Sequence, residues 1–227
     1  RDFCLSRGLG DVYKRQTWDL GNPLNTVSTV FQLKEGLIWI VDSDCGQYSS
    51  EGPAQRTARL LSRFPTLMRN IFPHDAGYTT DTGLSQAYMW QQAGLPGIVC
   101  LPRIRDKWIS INYLLGMFPL LRFDIGGTEK AYPYWLSYRM KPALGENGAY
   151  KNEIVHDSSS HWSDSLRYIA EARMAGLLGN VSGGGETHVK KSFGRNFSNL
   201  NIDRNNYEGL MSRRGGARGP ESFRRGF

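Results

Sequence analysis

The order of elements in this 227-residue chain predicts an α/β fold in which a mixed sheet is flanked by helices. Three observations carry that expectation. A strand end at residues 17–20 is followed by two strand-like arms joined at Lys34-Glu35-Gly36, which reads as an antiparallel meander. Helical and strand patterns then alternate as far as residue 178. Beyond that, 10 of the 26 glycines fall in a stretch with few aliphatics and no periodicity, the composition of a disordered tail.

Taken in order, Gly21-Asn22-Pro23-Leu24-Asn25 is turn chemistry, Thr26–Leu33 is β-branched, and Leu37–Asp42 is strongly apolar. Pro53 opens a helix over Ala54–Phe64, with Ala58, Leu61 and Phe64 at helical spacing. Arg69–Pro73 reads as a short buried strand ending at His74-Asp75. Gly83–Ala93 is helical and stops at Gly94, and Ile98–Leu101 is again a strand. Ile104–Met117 places Trp108, Ile111, Leu114 and Leu115 on one helix face, and Tyr132–Met140 is a further helix closed by Pro142. Ala143–Val155 reads as a polar loop, and Ser160–Leu178 as a long helix whose Trp162, Leu166, Ile169, Ala170 and Leu177 face the core. The aromatic set Trp108, Tyr113, Tyr132, Tyr134, Trp135 and Tyr138 is expected to serve packing.

The net charge of +7 is unevenly placed. From Gly179 onward there are nine Lys and Arg against four acids, so the folded part is close to neutral. The expected organisation is a leader at 1–16, a domain at 17–178 and a flexible basic tail at 179–227. Residues 4–16 look like translated sequencing-adapter read-through at the end of a metagenomic reading frame, which would start the natural chain at Thr17. Cys4, Cys45 and Cys100 are odd in number and lack zinc-ligand spacing, so a reduced setting without disulfides is expected. The apolar runs Leu37–Val41 and Gly97–Leu101 are too short to cross a bilayer, and no membrane partner is expected. There is no GxxxxGK[ST] phosphate loop, GxSxG elbow or HExxH pair.

Three aspartates carry the chemistry. Asp19 and Asp75 stand where strands end, and Asp164 is expected in the first turn of the last long helix, where free N–H groups favour an ionised carboxylate. Such acids meeting in one cleft could hold two Mg²⁺ or Mn²⁺ ions for phosphodiester hydrolysis. Singly, each is weak evidence, because an acid at a strand end is more often a turn former or a cap. Asp42 and Asp44, read as following the third strand, are auxiliary candidates at the cleft rim. His161 and Arg167 are candidates for orienting the third acid or a phosphate. A His/Asp metal hydrolase using His74-Asp75 and His156-Asp157 is disfavoured by a total of four histidines.

Thr17-Trp-Asp-Leu-Gly21, Ile38-Trp-Ile-Val-Asp42, Pro73-His-Asp-Ala76, Leu121-Arg-Phe-Asp124 with Trp135-Leu-Ser-Tyr-Arg139, His156-Asp157 and Ser160-His-Trp-Ser-Asp-Ser-Leu-Arg-Tyr168 occur in that order. Together they resemble the C-terminal nuclease domain of tailed-phage terminase large subunits over about residues 17–175. The resemblance implies an RNase H-like fold and metal-dependent cleavage of concatemeric double-stranded DNA. Its metal-binding acids fall on Asp19, Asp75 and Asp164. It implies a portal ring and a small terminase subunit as partners, a host-cytoplasmic location, and a separate N-terminal ATPase domain that these residues do not include. Departures are Ser158 after Asp157, where Trp is common, and Trp162-Ser163 in place of small residues before Asp164. An acid often found at the end of the third strand is shifted or missing, which leaves Asp42 and Asp44 as alternatives. Rival readings are a resolvase-like nuclease on the same fold and a non-catalytic module that binds DNA or the portal.

Overall fold

A computed structural model describes residues 13–21, 26–46, 51–81, 83–142 and 150–178. The predicted tail, most of the predicted leader and the turn at 22–25 lie outside the described residues. Six strands form one sheet: β1 (Lys14–Asp19), β2 (Thr26–Lys34), β3 (Leu37–Gly46), β4 (Leu67–Phe72), β5 (Ile98–Cys100) and β6 (Leu121–Phe123). Their order is β5-β4-β1-β2-β3-β6. The β1–β2 and β2–β3 pairs are antiparallel, as the meander predicts, while β1–β4, β4–β5 and β3–β6 are parallel. The expected mixed sheet flanked by helices is therefore the observed architecture. Glu35 and Gly36 take positive φ at the β2–β3 turn, the backbone that a tight hairpin requires.

Helices cover both faces. On one lie α1 (Pro53–Arg63) and α2 (Gln86–Gln92). Beneath them Trp18, Val30, Leu60, Phe64, Phe72 and Trp90 form a buried cluster. Trp18 is fully buried, donates to Asn70 Oδ1 at 2.9 Å, and lies under the Arg56 guanidinium at 4.8 Å. The other face carries α6 (Ser158–Met174), whose Leu166, Ile169 and Ala170 pack on Phe31, Ile38, Ile40 and Ile71. Alternation along each strand divides the residues between the two clusters. Packed against α6 is α3 (Lys107–Met117), and α4 (Ile125–Thr128) and α5 (Tyr132–Leu136) complete the set.

Several expectations are corrected. The segment from 143 to 155 is not all loop: β8 (Tyr150–Ile154) pairs antiparallel with β7 (Met140–Pro142). The helix from Tyr132 ends at Leu136 rather than Met140, because the chain turns into β7. Helix α1 buries Arg56, Thr57 and Leu60 and leaves Ala58 exposed, because polar groups on β2 receive Arg56: its guanidinium bonds Thr26 O and Ser28 Oγ. On α3 the buried side chains are Ser110, Ile111 and Met117, and Leu115 is exposed. Of the aromatic set, Tyr134 stacks on Trp162 at 5.1 Å, whereas Tyr113 and Tyr132 remain exposed.

Strand β3 runs four residues past its expected end, so Asp42 and Asp44 lie inside it rather than after it. A bulge between Val30 and Phe31 in the β2–β3 register leaves Val41 without a partner on β2. Two fully buried side chains of the central strands, Gln16 and Gln32, have no hydrogen-bond partner for any amide atom among the described residues. All the described residues belong to one compact unit. None of its helices is long and apolar enough to cross a membrane.

Candidate active site

Asp19 is the last residue of β1 and, by alternation from buried Trp18, points to the α6 face of the sheet. There it accepts a hydrogen bond from His161 Nδ1 at 2.8 Å, the two side chains each being about one-eighth exposed. His161 lies on α6 in contact with the His156 ring, their centroids 4.9 Å apart. Burial raises the Asp19 pKa above its ordinary value; the His161 hydrogen bond opposes that rise, and the nearby Asp164 charge adds to it. The His161 pKa is raised, first by its bond to Asp19.

Asp164 sits one turn after His161 on the same helix. Its position differs from expectation. Asp157 is the N-cap of α6, accepting from Ser159 N at 2.9 Å and Ser160 N at 3.3 Å, so the helix begins at Ser158 and Asp164 falls in its second turn. The carboxylate is therefore held by side chains rather than by free helix N–H groups. Lys107 Nζ donates to Asp164 Oδ2 at 2.8 Å and Arg167 Nε to Oδ1 at 3.2 Å. Arg167 is fixed in turn by Ser110 Oγ at 2.7 Å and by an ion pair with Glu171.

The structure thus brings Asp19 and Asp164 into electrostatic range, although 145 residues separate them in the chain. Asp75 stands in a 3₁₀ turn, His74–Gly77, that follows β4, the parallel neighbour of β1, and its side chain is exposed. Among the described residues, no group of three or more His, Cys, Asp or Glu side chains is assembled so as to hold a metal. The reason is visible in the pairing: Asp19 is turned to His161, and Asp164 to Lys107 and Arg167. The donor chemistry of the pair still suits a hard divalent ion, because both groups offer carboxylate oxygens and part of the Asp19 pKa rise comes from the Asp164 charge.

Asp42 and Asp44 are directed elsewhere. Asp42 accepts both terminal nitrogens of Arg63, at 2.7 and 3.0 Å, and Asp44 accepts Arg59 at 3.0 Å. Both arginines lie on α1, which covers the sheet face opposite α6, so neither acid adjoins Asp19 as an auxiliary ligand would. Arg167 does contact the third acid, whereas His161 contacts the first. Sequence reasoning missed Lys107 and Tyr138. The Tyr138 ring centroid lies 5.9 Å from Lys107 Nζ, and burial followed by the Asp164 charge raises its pKa; its buried hydroxyl has no partner among the described residues. A cation in the first turn of a helix opposes the helix dipole, but nothing in the sequence names the partner that compensates it.

No family model and no curated protein matches this chain. Solved structures do. The large terminase of a thermophilic bacteriophage aligns at a TM-score of 0.52 and 14% identity, covering 71% of this chain and 40% of that one. This chain therefore spans well under half the length of that protein. The g2p (large terminase) nuclease domain of bacteriophage SPP1, a structure with bound Mn, aligns at a TM-score of 0.50 and 13% identity, over 72% of this chain and 86% of that one. The P22 large terminase nuclease domain gives 0.52 and 16%, over 71% and 81%. At such identities it is the fold that is shared: this chain has the RNase H-like architecture of large-terminase nuclease domains.

Proposed function

We propose that this chain is the metal-dependent endonuclease domain of a phage DNA-packaging terminase, cleaving concatemeric double-stranded DNA by two-metal phosphodiester hydrolysis. The observation that carries this reading is the convergence of Asp19, from the end of a central strand, and Asp164, from the last described helix, on one face of an RNase H-like sheet. Asp19 and Asp164 would hold Mg²⁺ or Mn²⁺, with Asp75 at the adjoining strand end as the third carboxylate. A bound divalent ion supplies an activated water and neutralises the leaving oxygen. His161 orients Asp19, and Arg167, locked by Glu171 and Ser110, orients Asp164. In this reading the partners are duplex DNA, a portal ring, a small terminase subunit and an ATPase domain, and the setting is the host cytoplasm. The SPP1 domain with bound Mn supports the choice of a divalent ion.

The test is plasmid nicking in manganese by the wild-type chain and by Asp19→Asn and Asp164→Asn. Loss of a ligand should lower cutting by roughly 100-fold or more, since removal of groups that merely support metal ligands already costs about 10- to 100-fold. Undiminished cutting by both variants would remove Asp19 and Asp164 from the mechanism, and absence of manganese-dependent cutting by the wild-type chain would favour a DNA- or portal-binding module. A preference for four-way junctions over linear duplex would favour a resolvase.

A further inference from the structure

Lys107 is an anomaly in its local setting. It is the first residue of α3, directly after the Asp106 N-cap, where the helix dipole disfavours a positive charge. Its ammonium nonetheless reaches a residue 57 positions away, donating to Asp164 Oδ2 at 2.8 Å. Its charge is also felt by Asp19 and by His161. Among the described residues Asp164 is its one hydrogen-bonding side-chain partner, and the Lys107 side chain is 37% exposed against 14% for Asp164. The second cation on Asp164 is held differently: Arg167 is 8% exposed and tied to Ser110 and Glu171. One cation on this carboxylate is buried and tied on several sides, and the other is partly open to solvent.

We propose that Lys107 is an internal counter-ion that a divalent metal must displace from Asp164, so that its departure sets the metal affinity of the site. The inference rests on the metal-dependent reading given above. A lysine suits the role better than an arginine would, being a compact point charge on a flexible stem rather than a planar fork that grips both carboxylate oxygens. When Lys107 leaves, Asp164 Oδ2 becomes available to the metal and the ammonium moves toward solvent. Lys107 is on this view a positioning residue, acting through Asp164.

The experiment combines a binding isotherm with a chemical footprint, both on the full chain. Manganese is titrated calorimetrically into wild type, Lys107→Met and Lys107→Arg. Acetylation of Lys107 by an N-hydroxysuccinimide ester is followed by mass spectrometry with and without manganese. The Met variant should bind roughly tenfold more tightly, the factor set by removing one competing charge-assisted hydrogen bond. The Arg variant should bind no more tightly than wild type, and manganese should speed acetylation of Lys107 in the wild-type protein. Manganese binding with unchanged acetylation, or equal tightening in both variants, would overturn the counter-ion role and leave the metal site standing. No manganese uptake by any of the three would overturn the metal reading and this inference together.

Discussion

At the scale of single residues, the acids of this chain divide into two populations that their spacing does not distinguish. Asp42 is buried on the α1 face, and desolvation raises its pKa to about 6 despite the two bonds from Arg63. The folded state therefore holds a proton that the unfolded chain releases near pH 3.8. As pH rises from about 4 to about 6 the fold loses stability through this group, and above that range the penalty is constant. A shift of this size corresponds to roughly 3 kcal/mol. Urea denaturation of Asp42→Asn should show that the variant gains on wild type between pH 4 and 6, with a fixed difference from pH 7 upward. A difference independent of pH across the whole range would mean that Asp42 is ionised throughout. Asp19 and Asp164 were legible in the sequence as candidates because each stands beside a local mark, a strand end or a polar helix start. Lys107 was not, because its partner lies on a different helix and only tertiary packing joins them.

At the scale of elements, α4 shows how closely backbone can approach backbone. A Cβ added to Gly127 would fall inside the van der Waals radius of Val41 O and against Asp42 Cα. The glycine lets the short helix lie directly on the bulged part of β3, where Asp124 N donates to Ile40 O at 2.9 Å and extends the β6 pairing. Gly127→Ala should cost about 1–3 kcal/mol by overpacking, read as a lower urea midpoint. Because the same shift moves the strand that carries Asp42, its pH-dependent penalty should change as well. The hairpin, the central strands and α6 were legible because hydrophobic period and turn chemistry agree there. Strands β6 and β7 were not, since three residues carry no measurable period, and β8 was not because its polar sequence reads as loop. The start of α6 was misplaced by two residues because Ser158 and Ser159 read as loop. Once Asp157 caps them they form the first turn.

At the scale of the molecule, the six-stranded order places β1 in the interior of the sheet with parallel β4 on one side and antiparallel β2 on the other. The strand ends with Asp19, and its middle is poorly suited to a core. Gln16 and, diagonally across on β2, Gln32 bury four amide atoms without partners among the described residues. An unpaired buried polar group costs about 1–3 kcal/mol, so Gln16→Leu with Gln32→Leu should raise the melting temperature. Unchanged or lower melting would mean that ordered water satisfies the amides. Both positions lie away from Asp19, so nicking activity should be kept.

The bond between Asp19 and His161 joins residues 142 positions apart. A ribosome adding roughly 5–20 residues per second takes on the order of ten seconds to make that span. Throughout that interval the nascent chain carries Asp19 without the helix that completes the pair. The site proposed above is thereby left incomplete until translation of the domain is essentially finished, a delay that follows from topology and requires no inhibitor.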